Sequence, residues 1–201
     1  MNSEQKITLP HIILASASPR RKDLLTQIGA SITVIPADVD ESLTVTDPVA
    51  FVKALSYRKA HAVFSGTTKE GKMKKGDVVL GADTVVALDD EILGKPEDEA
   101  DAVRMIDAMQ GGHHRVLTGV TLIAADGKTI TFAESTVVHL YPMSKAEIQS
   151  YVSSGEAFGK AGAYGIQGPF AAFVKKVDGS YTNVVGLPIG HVYQGLKQLT
   201  H

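Results

Sequence analysis

Apolar residues come in short bursts along this chain, and their spacing predicts alternating strands and helices. Residues 12–15 are apolar, too few for a helix, and bounded by small polar residues, which reads as a buried strand. Ser18 then stands where a helix cap belongs, Pro19 suits the first helical turn, and Leu24, Leu25 and Ile28 supply an apolar face. Gly29 ends that helix, and residues 31–36 read as a second strand followed by an acidic loop through Asp38, Asp40 and Glu41. Asp47 and Pro48 open a second helix on Val52, Leu55, Ala60 and Val63. Residues 66–76 are polar, basic and glycine-containing, which predicts a surface loop.

Residues 78–80 and 85–88 predict strands, with Asp89-Asp90 turning the second into a hairpin. After Lys95-Pro96, a helix begins with Glu97, Asp98 and Glu99, whose charge suits a positive helix start, and stops at Gly111-Gly112. Residues 114–141 form two β-rich runs around Asp126-Gly127, a predicted hairpin. Ser144 and Glu147 have capping-box spacing. A further hairpin is expected to turn at Asp178-Gly179, and Pro188 opens a last helix containing Val192, Leu196 and Leu199. Helix–strand alternation with central hairpins predicts an α/β fold with a central mixed β-sheet flanked by helices. No repeat or linker divides the chain, so one domain over residues 11–201 is expected, behind a flexible extension of residues 1–10.

Composition narrows the function classes. The 201 residues include no Cys, which excludes a disulfide scaffold, a Cys-ligated zinc site and a thiol nucleophile. Twenty Lys+Arg against 22 Asp+Glu give a net charge of -2, against the basic excess of a nucleic-acid polymer binder. No apolar run approaches the roughly 20 residues of a membrane-spanning helix, and the first ten lack a signal-peptide pattern. A cytoplasmic protein with no membrane partner is expected.

Residues 14–21 (LASASPRR) run from a strand straight into a helix start, where free N–H groups and the helix dipole favour an anion. Ser16 and Ser18 add hydroxyls, and Arg20 and Arg21 add forked donors suited to phosphate. An ordinary capped helix with two solvated arginines satisfies the same pattern. Asp83 sits within the apolar stretch 78–88, where a carboxylate is costly unless it caps a turn, binds a metal or serves as a base. A turn or bulge between two short strands is the structural alternative. Lys95, beside a helix start, can meet a phosphate or sit in a routine turn, and the acidic loop through Glu41 offers hard oxygen ligands or simply a solvated surface.

Other patterns fail on their chemistry. Residues 66–73 (GTTKEGKM) almost spell a phosphate-binding P-loop, but Met73 replaces the hydroxyl that would hold Mg²⁺. Adjacent His113 and His114 point to opposite faces of a strand and cannot share one ion. Glycines 159, 162, 165 and 168 do not match a dinucleotide fingerprint and suit a tight irregular loop near a ligand. No G-x-S-x-G elbow exists.

Five segments in order, residues 14–21 (LASASPRR), 81–86 (GADTVV), 93–96 (LGKP), 111–119 (GGHHRVLTG) and 178–188 (DGSYTNVVGLP), resemble the Maf family. These are nucleoside triphosphate pyrophosphatases linked to septum formation. The resemblance implies two lobes around a deep cleft, a divalent cation (Mg or Mn), and hydrolysis of a nucleoside triphosphate to the monophosphate and pyrophosphate. It also allows a homodimer. By the same resemblance Asp83 is the general base and Glu41 a second carboxylate near the metal. Ser16, Arg21, Lys59 and Lys95 face phosphate. Residues 161–168 (AGAYGIQG) look like the branch that acts on dTTP and UTP, with Arg20, Thr84 and Gln167 at the positions linked to that preference. A Gln amide can pair with the donor–acceptor edge of a pyrimidine. Whether Asp83 is base, metal ligand or both stays open. The rival expectations are the same chemistry on 7-methyl-GTP or another modified nucleotide, and a nucleotide-binding regulator of division without turnover.

Overall fold

A computed structural model describes residues 9–89 and 91–200. Residues 1–8 of the expected extension over residues 1–10 lie outside the described residues, as does Asp90 of the predicted Asp89-Asp90 turn. Seven strands, β1 (Ile12–Leu14), β2 (Ile32–Val34), β3 (Val78–Leu88), β4 (Glu91–Leu93), β5 (His113–Ala124), β6 (Thr129–Leu140) and β7 (Val174–Asp178), form one sheet. Six helices accompany them: α1 (Pro19–Gln27), α2 (Pro48–Lys69), α3 (Glu99–Met109), α4 (Lys145–Ser153), α5 (Tyr181–Val185) and α6 (Ile189–Thr200).

The sheet is mixed, as the alternation predicts. Its order is β2-β1-β3-β5-β6-β7, with β1 parallel to both neighbours and the other pairs antiparallel. β3 organises the rest. One edge pairs with β5 from Val78 to Ala87. The other pairs with β1 over Val78, Val79 and Leu80, then with β4 over Val86, Ala87 and Leu88. Between Leu80 and Val86 that second edge has no strand partner. This gap lies at the carboxyl end of parallel β1, the place where α/β sheets open to ligands.

The two faces of the sheet differ. A large apolar core joining Ile12, Leu14, Ala82, Val86, Ile106 and Phe170 fills one side. The other is covered by α2 through two small clusters, around Ala60, Val63 and Val79 and around Val52, Val85 and Leu117. Helix and strands approach closely there because two side chains are missing. A Cβ on Gly81 would lie 2.4 Å from the Ser56 carbonyl oxygen, and one on Gly119 would lie 2.1 Å from that of Val52. Gly119 pairs with Asp83 in register, so both glycines belong to the patch around the buried carboxylate.

Three expectations are corrected. The predicted loop at 66–76 begins later, because α2 runs through Gly66 to Lys69: Val63 and Thr67 keep its buried face going, and Thr67 Oγ1 donates back to Val63 O at 2.8 Å. The two short strands at 78–80 and 85–88 are one continuous strand, since Gly81 is demanded by the backbone of α2 and makes no turn. The hairpin at Asp178-Gly179 does not form. There β7 ends, Ser180 caps α5 by accepting from Asn183 N–H, and Val184-Val185 belong to that short helix. The capping box of Ser144 and Glu147 is present at α4.

Candidate active site

Lys59 is the hub of the site. Asp47 caps α2 by accepting from Ala50 N–H at 2.8 Å, and Ser56 Oγ meets Thr121 Oγ1 at 3.0 Å, which seats the helix on β5. From there the Lys59 ammonium donates to Asp83 Oδ1 at 2.7 Å and pairs with Glu41 Oε1, also at 2.7 Å. The Lys59 and Asp83 side chains are only 10% and 12% exposed, whereas Glu41 is 55% exposed. Asp83 Oδ2 has no protein partner among the described residues. Burial alone would raise the Glu41 carboxyl. The bond and charge of Lys59, with Lys95 and Arg21 farther away, outweigh it and hold the pKa below its ordinary value, so Glu41 is ionised at neutral pH.

Arg21 closes the gap in β3 from the opposite face. Its Nε donates to Gly186 O at 2.9 Å, Nη1 to Ser16 Oγ at 3.0 Å and Nη2 to Thr84 Oγ1 at 3.0 Å. Three of five donors are thereby spent inside the protein, leaving one on each terminal nitrogen. Burial lowers its pKa, partly offset by the charge of Asp83. Ser18 sits at the N-cap of α1 without a side-chain cap bond. Instead its N–H donates to Ser16 Oγ at 3.2 Å. The Thr84 hydroxyl is likewise engaged, with Arg21 and with Thr118 Oγ1 at 2.9 Å.

One pocket of about 1000 Å³ gathers the site residues that the resemblance implies: Ser16, Arg20, Arg21, Glu41, Lys59, Asp83, Thr84, Lys95 and Gln167 all line it. Lys95 and Gln167 are exposed at its mouth, and Arg20 is half-buried. Asp40 of the acidic loop turns away. Its carboxylate accepts from Ser42 N–H and Oγ, while Arg58 donates to the Asp40 and Ser42 carbonyls and so clamps the loop that presents Glu41. Arg58 carried no signal in the sequence, because its partners are backbone atoms of a distant loop. Lys160 was missed too. It lines the pocket, pairs with Glu156, and its stem lies 3.1 Å from where a Cβ on Gly165 would be.

The Maf-like protein family matches residues 11–199. The chain belongs to the Maf family. A dTTP/UTP pyrophosphatase from Agathobacter rectalis is 47% identical, over 95% of this chain and 98% of the relative. Proteins of the same description from Ruminiclostridium cellulolyticum (44%, covering 94% and 96%) and Symbiobacterium thermophilum (45%, covering 94% and 94%) are also similar. Among solved structures, a nucleoside-triphosphatase / dITP/XTP pyrophosphatase from Mycobacterium abscessus is 12% identical, covers 66% of this chain and 75% of its own, and reaches a TM-score of 0.41, too slight a likeness to build on.

In this Maf chain two hard carboxylate donors already converge on one positive centre, since Glu41 and Asp83 each lie 2.7 Å from the Lys59 ammonium. That donor chemistry fits a small divalent cation. Among the described residues no group of three or more His, Cys, Asp or Glu could hold a metal ion. No helix among the described residues is long and apolar enough to cross a membrane.

Proposed function

We propose that this chain is a cytoplasmic pyrophosphatase that hydrolyses dTTP and UTP to the monophosphate and pyrophosphate. The observation that carries the reading is the Glu41–Lys59–Asp83 cluster within a pocket also lined by Arg20, Arg21 and Lys95. The names borne by relatives at 44–47% identity support the substrate class. A carboxylate with one oxygen fixed by Lys59 and the other without a protein partner among the described residues is in place to orient a water.

In the proposed reaction the water oxygen bonds to the α-phosphorus, and the bond from that phosphorus to the bridging oxygen of the β-phosphate breaks. The proton of the water passes to Asp83 Oδ2, and pyrophosphate leaves with the electron pair. Arg21, through its two unspent donors, and Lys95 hold phosphate oxygens as charge shifts to the leaving group. Lys59 fixes both carboxylates in place and favours the ionised form of Glu41. A divalent cation held by Glu41 would supply neutralisation of phosphate charge and polarisation of the phosphorus, while Asp83 serves in this reaction as the base, since direct binding to the cation would remove its basicity. Gln167, at the mouth, meets the nucleobase edge.

A substrate panel with released pyrophosphate as readout tests this. UTP and dTTP, assayed with Mg²⁺ or Mn²⁺, should lead ATP, GTP and 7-methyl-GTP. A preference for purine substrates would overturn the role of Gln167, and no pyrophosphate from any of them would overturn the enzyme.

A further inference from the structure

The segment that carries Gln167 has little regular structure to hold it. Between α4 and β7 the chain passes through two 3-10 turns, Ala161–Ala163 and Pro169–Phe173, with Gly159, Gly162 and Gly168 at positive φ. Such a segment takes its position from what it touches. Gly162 N–H donates to Gly94 O at 2.9 Å, one residue from Lys95. Phe170 is fully buried, with its ring 4.6 Å from that of Tyr164 and 5.0 Å from that of Tyr151. Apolar contacts of this kind are non-directional and tolerate sliding. The polar tie to β5 is of a different kind: the Tyr164 hydroxyl and His114 Nε2 lie 2.7 Å apart, with both residues buried.

We propose that His114 and Tyr164 are a positioning pair that fixes Gln167 in the pocket and thereby sets the nucleobase preference. The proposal rests on the pyrimidine reading of Gln167 and deepens it. His114 stands behind the pocket wall and Tyr164 forms part of it, three residues before Gln167. Their bond is the single hydrogen bond that either ring makes among the described residues, and His114 Nδ1 has no partner at all. Burial, with smaller contributions from His113 and His139, brings His114 down to about 4, so the imidazole is neutral at pH 7. Moving Tyr164 away would leave a buried phenol and a buried imidazole both unsatisfied, so displaced positions of the segment are disfavoured. The Gly162–Gly94 bond ties the start of the segment, and a directional bond between two buried groups at Tyr164 narrows the positions open to the residues that follow.

The test compares four variants of the full chain, Tyr164→Phe, His114→Leu, His114→Gln and Gln167→Ala, reading kcat/KM for UTP against ATP and the melting temperature of each. Tyr164→Phe and His114→Leu should lower the UTP/ATP ratio on the order of tenfold, the worth of about one hydrogen bond, mostly through KM for UTP. His114→Gln, whose amide can still pair with the phenol, should retain most of the preference even where its melting temperature falls. Hydrogen exchange over residues 160–168 should quicken in the first two variants and not in the third. A merely structural pair predicts that the ratio stays at the parent value in every folded variant, and that result would overturn the proposal. If Gln167→Ala changes the ratio while Tyr164→Phe and His114→Leu do not, the positioning pair fails and the reading of Gln167 stands. If Gln167→Ala leaves the ratio unchanged, the reading itself fails and the proposal with it.

Discussion

Replacing Gly119 by Ala should both destabilise the protein and disable its site. A Cβ there would lie 2.1 Å from Val52 O, 2.3 Å from Val52 C and 2.8 Å from Lys53 N, where 3.4 Å begins ordinary contact. All three obstacles are backbone atoms of α2, so no side-chain rotation relieves them, and helix and sheet must separate by roughly 1 Å. Overpacking of this kind costs about 3 kcal/mol, reduced by the few tenths to 1 kcal/mol that Gly→Ala gains by restricting the unfolded chain. A net loss of about 2 to 3 kcal/mol corresponds to a melting temperature lower by roughly 4 to 12 °C for a chain of this size. Lys59 rides on the displaced helix, so its 2.7 Å bond to Asp83, directly across from Gly119, is stretched beyond hydrogen-bonding range. Urea denaturation and UTP turnover read the two effects. Gly190→Ala on α6, where nothing lies within 4 Å of the new methyl group, is the control that should stay neutral or gain slightly. Stability within about 0.5 kcal/mol of the parent together with unaltered turnover for Gly119→Ala would refute the account of how α2 seats Lys59.

Two further predictions concern stability. His114 falls from 6.5 to about 4 on folding, through burial first and neighbouring histidines second. Between those values the unfolded chain binds the extra proton, so stability rises with pH; acidification from pH 7 should remove about 3 kcal/mol by pH 4. Urea titrations across that range should show the loss in the parent and a flatter profile in His114→Gln, and parallel profiles would contradict it. Gly66→Ala should stabilise by up to about 1 kcal/mol, because Gly66 lies inside α2 with open space around it; a loss of stability would mean that the helix ends earlier.

Much of the framework was legible where the signal is local. The strand-to-helix turn at Ser16 and Pro19, the Asp47 cap, the Asp126-Gly127 hairpin and the Ser144–Glu147 box each depend on residues a few positions apart, and all appear in the fold. What escaped depends on distant packing. Gly81 beside Asp83 looks like a chain breaker until the backbone of α2 is seen against it, and only then does β3 read as continuous. The five residues of α5 are too few to show a helical period. At the site, residue types were readable but their relations were not. Glu41, Lys59 and Asp83 are separated by 18 and 24 positions, and no local pattern says that one ammonium holds both carboxylates. Arg21, an obvious phosphate ligand by type, turns most of its donors to Ser16, Thr84 and Gly186.

In the proposed reaction Asp83 takes a proton and is more than one half of an ion pair with Lys59. Asn at this position keeps the size of the side chain and an oxygen that can accept from Lys59, but it cannot take a proton. Asp83→Asn should bind UTP within a few-fold of the parent, by calorimetry, while pyrophosphate release falls on the order of a thousandfold. An Asp83→Asn variant that binds UTP and releases pyrophosphate at the parental rate would contradict the account.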